Sequence, residues 1–292
     1  MKDFIISTDS TADLPESYCK ENNVFVHPLY YSIGNTVYGG DNKLDPKDFY
    51  TRMRAGEMPT TMASNPEFVN KSFSEQIKSG TDVLHISFSS ALSGSYNNAA
   101  VNARELMEQH KGSKIIVIDS LSASLGQGLL VDSCVNLKKA GKTIDEIATW
   151  VEENKLHLCH EFTVDDLFNL HRGGRVSKTA AILGTIINVK PVLHMDNLGR
   201  LIPLYNVRGR KKALIALVDA MEKSVDGYEP KNTKVFICHA DAPEDAQFVA
   251  DLVKERFGID NHLIGYTSPT IGAHSGPGTI ALFYYGRGRE LQ

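Results

Sequence analysis

Four short segments of this 292-residue chain gather side chains able to bind or react. The first is Pro59-Thr60-Thr61-Met62-Ala63-Ser64-Asn65-Pro66, where proline at both ends keeps the backbone extended and hydroxyls can point at a polar group. Ser64 or Asn65 serves equally well as the N-cap of a following helix. The second is Ser89-Ser90-Ala91-Leu92-Ser93-Gly94-Ser95-Tyr96, which follows an apolar run and opens an amphipathic one. In a parallel α/β sheet, ligands sit beyond the carboxyl ends of strands, and amides at a helix start favour an anion. A carboxylate or phosphate there would meet serine hydroxyls and the Gly94 amide; simple capping by Ser93 or Ser95 is the competing reading. The third is Ile271-Gly272-Ala273-His274-Ser275-Gly276-Pro277-Gly278, read as a loop whose glycines leave the His274 imidazole little cover. That ring can bond an anion or act as a base near neutral pH. The fourth joins His171-Arg172-Gly173-Gly174-Arg175 with Arg208-Gly209-Arg210-Lys211-Lys212, either a positive rim for a phosphate or acidic partner or solvated basic surface.

Other patterns fail on spacing. Gly272-x-His274-x-Gly276 puts histidine where a hydrolase elbow needs serine. Gly126-Gln127-Gly128 continues to Val131 rather than glycine, so the dinucleotide fingerprint is broken, and no GxxxxGK[ST] loop exists. His157 and Cys159 would face one side of a strand and His160 the other, a poor metal geometry. Asp9 and Asp13 hint at paired carboxylates, but Asp13 before Leu14-Pro15 reads as a helix-start residue. No metal or cofactor is expected.

The elements that must position these segments alternate. Strands are expected at Phe4-Ile5-Ile6, Val24 to Ser32, Asp82 to Phe88 and Lys114 to Ile118, with helices between them at Pro15 to Asn22, Asp45 to Ala55, Phe68 to Ser79 and Tyr96 to Gln109. Leu125 to Ala140 and Ile144 to Asn154 add two more helices. This rhythm predicts a mostly parallel sheet flanked by helices. After a boundary near Trp150 to Leu158 the rhythm changes. Lys190 to Met195 and Leu201 to Val207 flank Asp196-Asn197-Leu198-Gly199 as a hairpin, and α/β units follow, which predicts a mixed sheet. The expected units are 1–155 and 156–292. A helix at 178–187 is apolar over most of its surface, through Ile182, Leu183, Ile186 and Ile187.

Composition narrows the function classes. With 31 basic against 35 acidic residues the net charge is −4, so bulk affinity for nucleic acid or an anionic membrane is not expected. Cys19, Cys134, Cys159 and Cys238 are widely spaced, which suits free thiols in a reducing cytoplasm. The first residues meet an acid at once and contain no long apolar run, so neither a signal peptide nor a membrane span is expected.

Taken together, the segments resemble the DegV family of bacterial fatty-acid-binding proteins over nearly the whole chain. Thr8-Asp9-Ser10-Thr11-Ala12-Asp13-Leu14-Pro15 looks like its opening motif, Pro59-Thr60-Thr61 its proline-threonine loop, and Ser89 to Tyr96 its serine-glycine loop. Leu167 through Arg172-Gly173-Gly174-Arg175-Val176-Ser177, Lys190-Pro191, Val207-Arg208 with Lys211-Lys212-Ala213, and Gly272 to Gly278 complete the series. The family usually has Ser-Gln-Pro after its threonine; here Met62-Ala63-Ser64-Asn65-Pro66 departs from that. The resemblance implies a two-domain α/β protein holding a long-chain, palmitate-like fatty acid between the domains. It implies that Thr61, Ser93 and His274 hold the carboxylate beside Gly94, with Thr60 as a substitute because of the loop departure. The apolar helix at 178–187 is the candidate tunnel wall. The resemblance also implies a lipid-carrying subunit without catalysis of its own, serving phospholipid metabolism. A separate ATP-dependent fatty-acid kinase subunit would make the acyl-phosphate near Arg208, and lipid exchange would need transient membrane contact. The competing expectations are a stand-alone serine hydrolase or acyltransferase using Ser93 and His274, and a small-molecule sensor.

Overall fold

Runs of five or six buried residues, apolar and polar together, form the central strands of two separate sheets in the computed structural model, which describes residues 3–177 and 188–290. The first half contains β1 (Phe4–Asp9), α1 (Glu16–Glu21), β2 (Val24–His27), β3 (Tyr30–Ile33), β4 (Thr36–Tyr38), α2 (Pro46–Arg54) and β5 (Thr60–Met62). It continues with α3 (Pro66–Lys78), β6 (Asp82–Ser87), α4 (Ser95–Gln109), β7 (Ile115–Asp119), α5 (Ser124–Lys139) and α6 (Ile144–Asn154). Strands β2-β1-β6-β7 form a four-stranded parallel sheet. Helix starts follow local chemistry: Asn65 accepts from the Glu67 and Phe68 amides ahead of Pro66, and Thr143 with Glu146 closes a capping box on α6.

The second half comprises β8 (Leu158–Thr163), α7 (Phe168–Arg172), β9 (Val189–Met195), β10 (Leu201–Arg208), α8 (Arg210–Val225) and β11 (Val235–His239). It ends with α9 (Pro243–Phe257), β12 (His262–Tyr266), α10 (Pro269–Ser275) and β13 (Ile280–Tyr285). Its six-stranded sheet, in the order β10-β9-β8-β13-β11-β12, is antiparallel except for β11 with β12. The expected parallel and mixed sheets, and the hairpin β9–β10, are therefore present.

Helix α5 packs between these sheets and is buried around most of its circumference. Gly126 and Gly128 permit this. A Cβ at Gly126 would lie 2.3 Å from His160 Nε2, and one at Gly128 would lie 2.6 Å from the Ala12 carbonyl oxygen. Gln127 reaches from α5 to Thr8 Oγ1 (2.9 Å) and the Ile86 carbonyl (3.1 Å), and accepts from Thr11 Oγ1 (3.1 Å). The largest hydrophobic cluster, which contains Leu129 and Leu130 of α5, draws on both halves, from Phe4 and Ile6 to Phe162, Leu193 and Phe283.

Three expectations need correction. The single strand expected over Val24 to Ser32 breaks at Pro28, which has no amide hydrogen for a ladder, and β3 joins a different sheet. That sheet, β4-β3-β5, recruits the segment expected as an extended loop at Thr60 to Met62. The loop expected at Ile271 to Pro277 is mostly helix α10: Pro269 starts it, and Gly276, at φ 80°, ends it. Ile182, Leu183, Ile186 and Ile187, with the helix expected at 178–187, lie outside the described residues. Among the described residues no helix is long and apolar enough to cross a membrane.

Candidate functional site

Strand alternation decides which threonine of β5 faces inward. Thr60 pairs with Ser32 and Thr61 with Tyr31 on β3, so the two side chains leave on opposite faces. Thr60 Oγ1 bonds Ser32 Oγ at 2.8 Å on the exposed side. Thr61 Oγ1 lies 2.8 Å from His274 Nε2 on the other side. Thr61, Ser93, Gly94 and His274 all line one cavity of about 170 Å³, and Thr60 is not part of its wall. That volume exceeds many times the roughly 10–15 Å³ needed for one water. Phe88, Leu92, Phe162, Met195, Ile271 and Phe283 supply apolar wall, contributed by both sheets and their loops.

The serine loop is internally braced. Ser93 Oγ accepts from the Ser95 amide at 3.2 Å and shares a bond with Ser95 Oγ at 2.9 Å. Ser95 Oγ accepts from the Ser64 amide at 3.1 Å, and Asn98 Nδ2 donates to the Ser64 carbonyl at 3.0 Å. The segment after Thr61 is thus fixed to the start of α4. Ser93 bonds serine rather than His274, so the described geometry contains no Ser93–His274 dyad.

Arg172 and Arg175 join the remaining pieces. Arg172 donates to the carbonyls of Pro59 (3.1 Å) and Ala273 (2.9 Å), one residue or two from the threonines and the histidine. Arg175 donates to the Leu92 carbonyl, just before Ser93, at 2.9 and 3.3 Å, and also to the Gly173 carbonyl. Two arginines therefore tie the threonine strand, the serine loop and α10 to α7. Gly173 lies so close to His274 that a Cβ there would be 2.0 Å from Nδ1. The sequence left these arginines as either a rim or solvated surface; folded, they are half-buried cross-braces. Their partners come from segments remote in the chain, so spacing alone carried no sign of this.

Burial, helped by the nearby charges of Arg175 and Arg172, pushes the His274 imidazole down to about 4. It is neutral at physiological pH. Its Nδ1 is buried with no hydrogen-bond partner among the described residues, so no acid orients the ring for base catalysis. The arginines lend positive potential while donating to backbone carbonyls. The site therefore offers hydroxyls and a neutral ring to an anion, beside positive charge that does not clamp it.

Sequence reasoning missed Asp13. Helix α1 starts at Glu16 with Pro15 as its N-cap, so Asp13 does not start it; its amide instead closes the Ser10–Ala12 turn on the Ser10 carbonyl. It sits in the left-handed region (φ 54°), accepts a bond from Ser124 Oγ, and burial pushes its carboxyl up to about 7. Ser124, also at φ 54°, lines the cavity with Cys238 and Thr267. The crowding of acids and hydroxyls in Thr8 to Asp13 was the available signal. Arg208, at the end of β10, is exposed and outside the cavity wall, as are Lys211 and Lys212. Arg210 instead turns inward to Asp245 (2.7 Å) and the Gly278 carbonyl (2.5 Å).

Comparison with known proteins extends over the same length of chain. A sequence model described as "Uncharacterised protein, DegV family" matches residues 3–287. A DegV domain-containing protein of Clostridium perfringens is 43% identical over 292 residues, covering 99% of this chain and all of the relative. A solved DegV family protein from Thermus thermophilus, described as fatty-acid binding, is 26% identical with a TM-score of 0.86, covering 98% of this chain and 100% of that one. A stearic-acid-binding protein from Eubacterium ventriosum is 25% identical with a TM-score of 0.88, covering 97% and 98%.

Proposed function

On the premise that the chain belongs to the DegV family, we propose that it binds one long-chain fatty acid in the cavity between its two larger sheets. Thr61, Ser93 and His274, with the Gly94 amide, hold the carboxylate, and the tail occupies the apolar interior. The observation that carries this reading is the 2.8 Å contact of Thr61 with a neutral His274 at the wall of an apolar cavity. The fatty-acid binding named for the Thermus protein and the stearic acid named for the Eubacterium protein support the ligand class.

The energetics fit. Burying about fourteen methylenes at ~0.8 kcal/mol each gives roughly 11 kcal/mol gross. Lost rigid-body and chain freedom offsets several kcal/mol of this. A bare carboxylate in a dry site is costly, so the head needs its donors. Hydroxyls and a neutral imidazole satisfy it without an ion-pair clamp, which leaves the carboxylate oxygen able to attack a phosphoryl group.

The finer reading is what the family resemblance implies. The chain is a cytoplasmic carrier of two units, divided near residue 155, with no catalysis of its own. It presents the carboxylate to a separate ATP-dependent kinase subunit that forms the acyl-phosphate for phospholipid synthesis, and Arg208 serves that transfer. Ser93→Ala and His274→Ala should each weaken retention of a C16–C18 acid by about five- to hundredfold, the effect of leaving ~1–3 kcal/mol of hydrogen bonding unmade. Arg208→Ala should leave retention intact and slow acyl-phosphate formation with the kinase. Wild-type retention in a Ser93/His274 double variant would refute the carboxylate site, and equal loss of binding and turnover in Arg208→Ala would refute the transfer role.

A further inference from the structure

Away from the cavity, the parallel sheet brings two histidines and an aspartate onto one face. Asp9 on β1 stands directly beside His27 on β2. Ser7, two residues before Asp9 and on the same face, stands beside His85 on β6. All three are at most 1% exposed. Phe73 of α3 covers them, with its ring 5.1 Å from that of His27 and 5.5 Å from that of His85.

Each histidine has one engaged nitrogen and one that is not. His27 Nε2 bonds Ser72 Oγ at 3.0 Å, and its Nδ1 has no hydrogen-bond partner among the described residues. His85 Nδ1 bonds Ser7 Oγ at 3.0 Å, and its Nε2 likewise has none, lying 3.6 Å from Asp9 Oδ1. Asp9 Oδ2 accepts from the Phe88 amide at 2.7 Å and Ser87 Oγ at 3.0 Å. One donor atom from each residue lies within 4.8 Å of the other two.

We propose that Asp9, His27 and His85 form a binding site for one divalent metal ion of the zinc class. Imidazole nitrogens with one carboxylate suit zinc, iron, nickel or copper, whereas calcium and magnesium need oxygen donors throughout. Donors at about 2.0–2.2 Å from a tetrahedral ion lie about 3.3–3.6 Å apart, so the His85–Asp9 pair at 3.6 Å already fits and the rest of the set, within 4.8 Å, closes by about 1 Å at most. The hydroxyls of Ser7 and Ser72 occupy the second nitrogen of each ring, which is how ligating histidines are oriented. An ion there would join three strands and fix Asp9, which holds the backbone of Phe88 at the start of the serine loop. The site stands independently of the fatty-acid reading.

The test titrates Co2+ into the chelator-treated full-length protein. The expected result is one equivalent bound, intense visible d–d absorption of a four- or five-coordinate ion, and displacement by Zn2+. His27→Leu and His85→Gln, each checked for folding by circular dichroism, should weaken binding at least about tenfold. A folded wild-type chain that gives no such band, or folded variants that bind as tightly as wild type, would overturn the proposal. If either variant fails to fold, the wild-type stoichiometry and spectrum decide.

Discussion

The property of His274 that matters most is its lack of charge. Burial and two neighbouring arginines hold its imidazole near 4, so at neutral pH it offers the carboxylate a hydrogen bond without an ion pair. Side-chain NMR of the ligand-free protein should show this ring titrating near 4. Adding a fatty acid should move the midpoint upward, because a carboxylate in contact favours the charged ring. A midpoint near 6.5 in the free protein would show that the ring is solvated. His274, Thr61 and Ser93 were legible as types in unusual company, and strand alternation then separates Thr61 from Thr60. The roles of Arg172, Arg175 and Asp13 were not legible. Each depends on a carbonyl or hydroxyl from a segment far away in the chain.

Among the elements, α5 carries the tightest constraint. Its two glycines, read in the sequence only as a failed nucleotide motif, let the helix approach β8 on one side and the Ser10–Ala12 turn on the other. Gly126→Ala sets a methyl group against His160 and Phe283 and should destabilise the protein by about 1–3 kcal/mol. Urea denaturation would measure it, and an unchanged midpoint would mean that the helix can shift freely. Elements with strong local signals were read well from sequence. The capping box fixes the start of α6 at Ile144, and the Asp196 to Gly199 turn marks the β9–β10 hairpin. The strands β3, β4 and β5 have three or four residues each, too few for alternation to speak. Helix α10 was obscured because its glycines read as loop, although Gly272 is the residue that admits Tyr50 Oη against the helix.

For the molecule as a whole, buried imidazoles set the response to acid. Burial holds His27 near 3, His274 near 4 and His160 well below the ordinary 6.5. Between about 6.5 and 4 the unfolded chain takes up protons that the folded chain refuses. Stability from these groups therefore rises with pH across that window and is lost as pH falls through it. Asp13 acts in the opposite sense: its carboxyl, raised to about 7, keeps a proton in the folded state that the unfolded chain has released above 3.8. His194 and His239 are lowered by burial as well, and five such rings against one carboxyl predict a lower urea midpoint at pH 4.5 than at pH 7; a flat or reversed profile would show that the rings are not buried as described. The parallel and mixed sheets were foreseeable from the order of apolar runs. That one hydrophobic cluster runs through both halves was not, because it depends on where α5 lies.

A crystal structure of the chain loaded with a C16 acid tests the central claim most directly. The account predicts carboxylate oxygens within hydrogen-bond distance of Thr61 Oγ1, Ser93 Oγ and His274 Nε2, with the tail running inward past Phe88 and Phe162. A carboxylate seated elsewhere, for example against Ser124 and Asp13, or a tail outside the cavity, would contradict it.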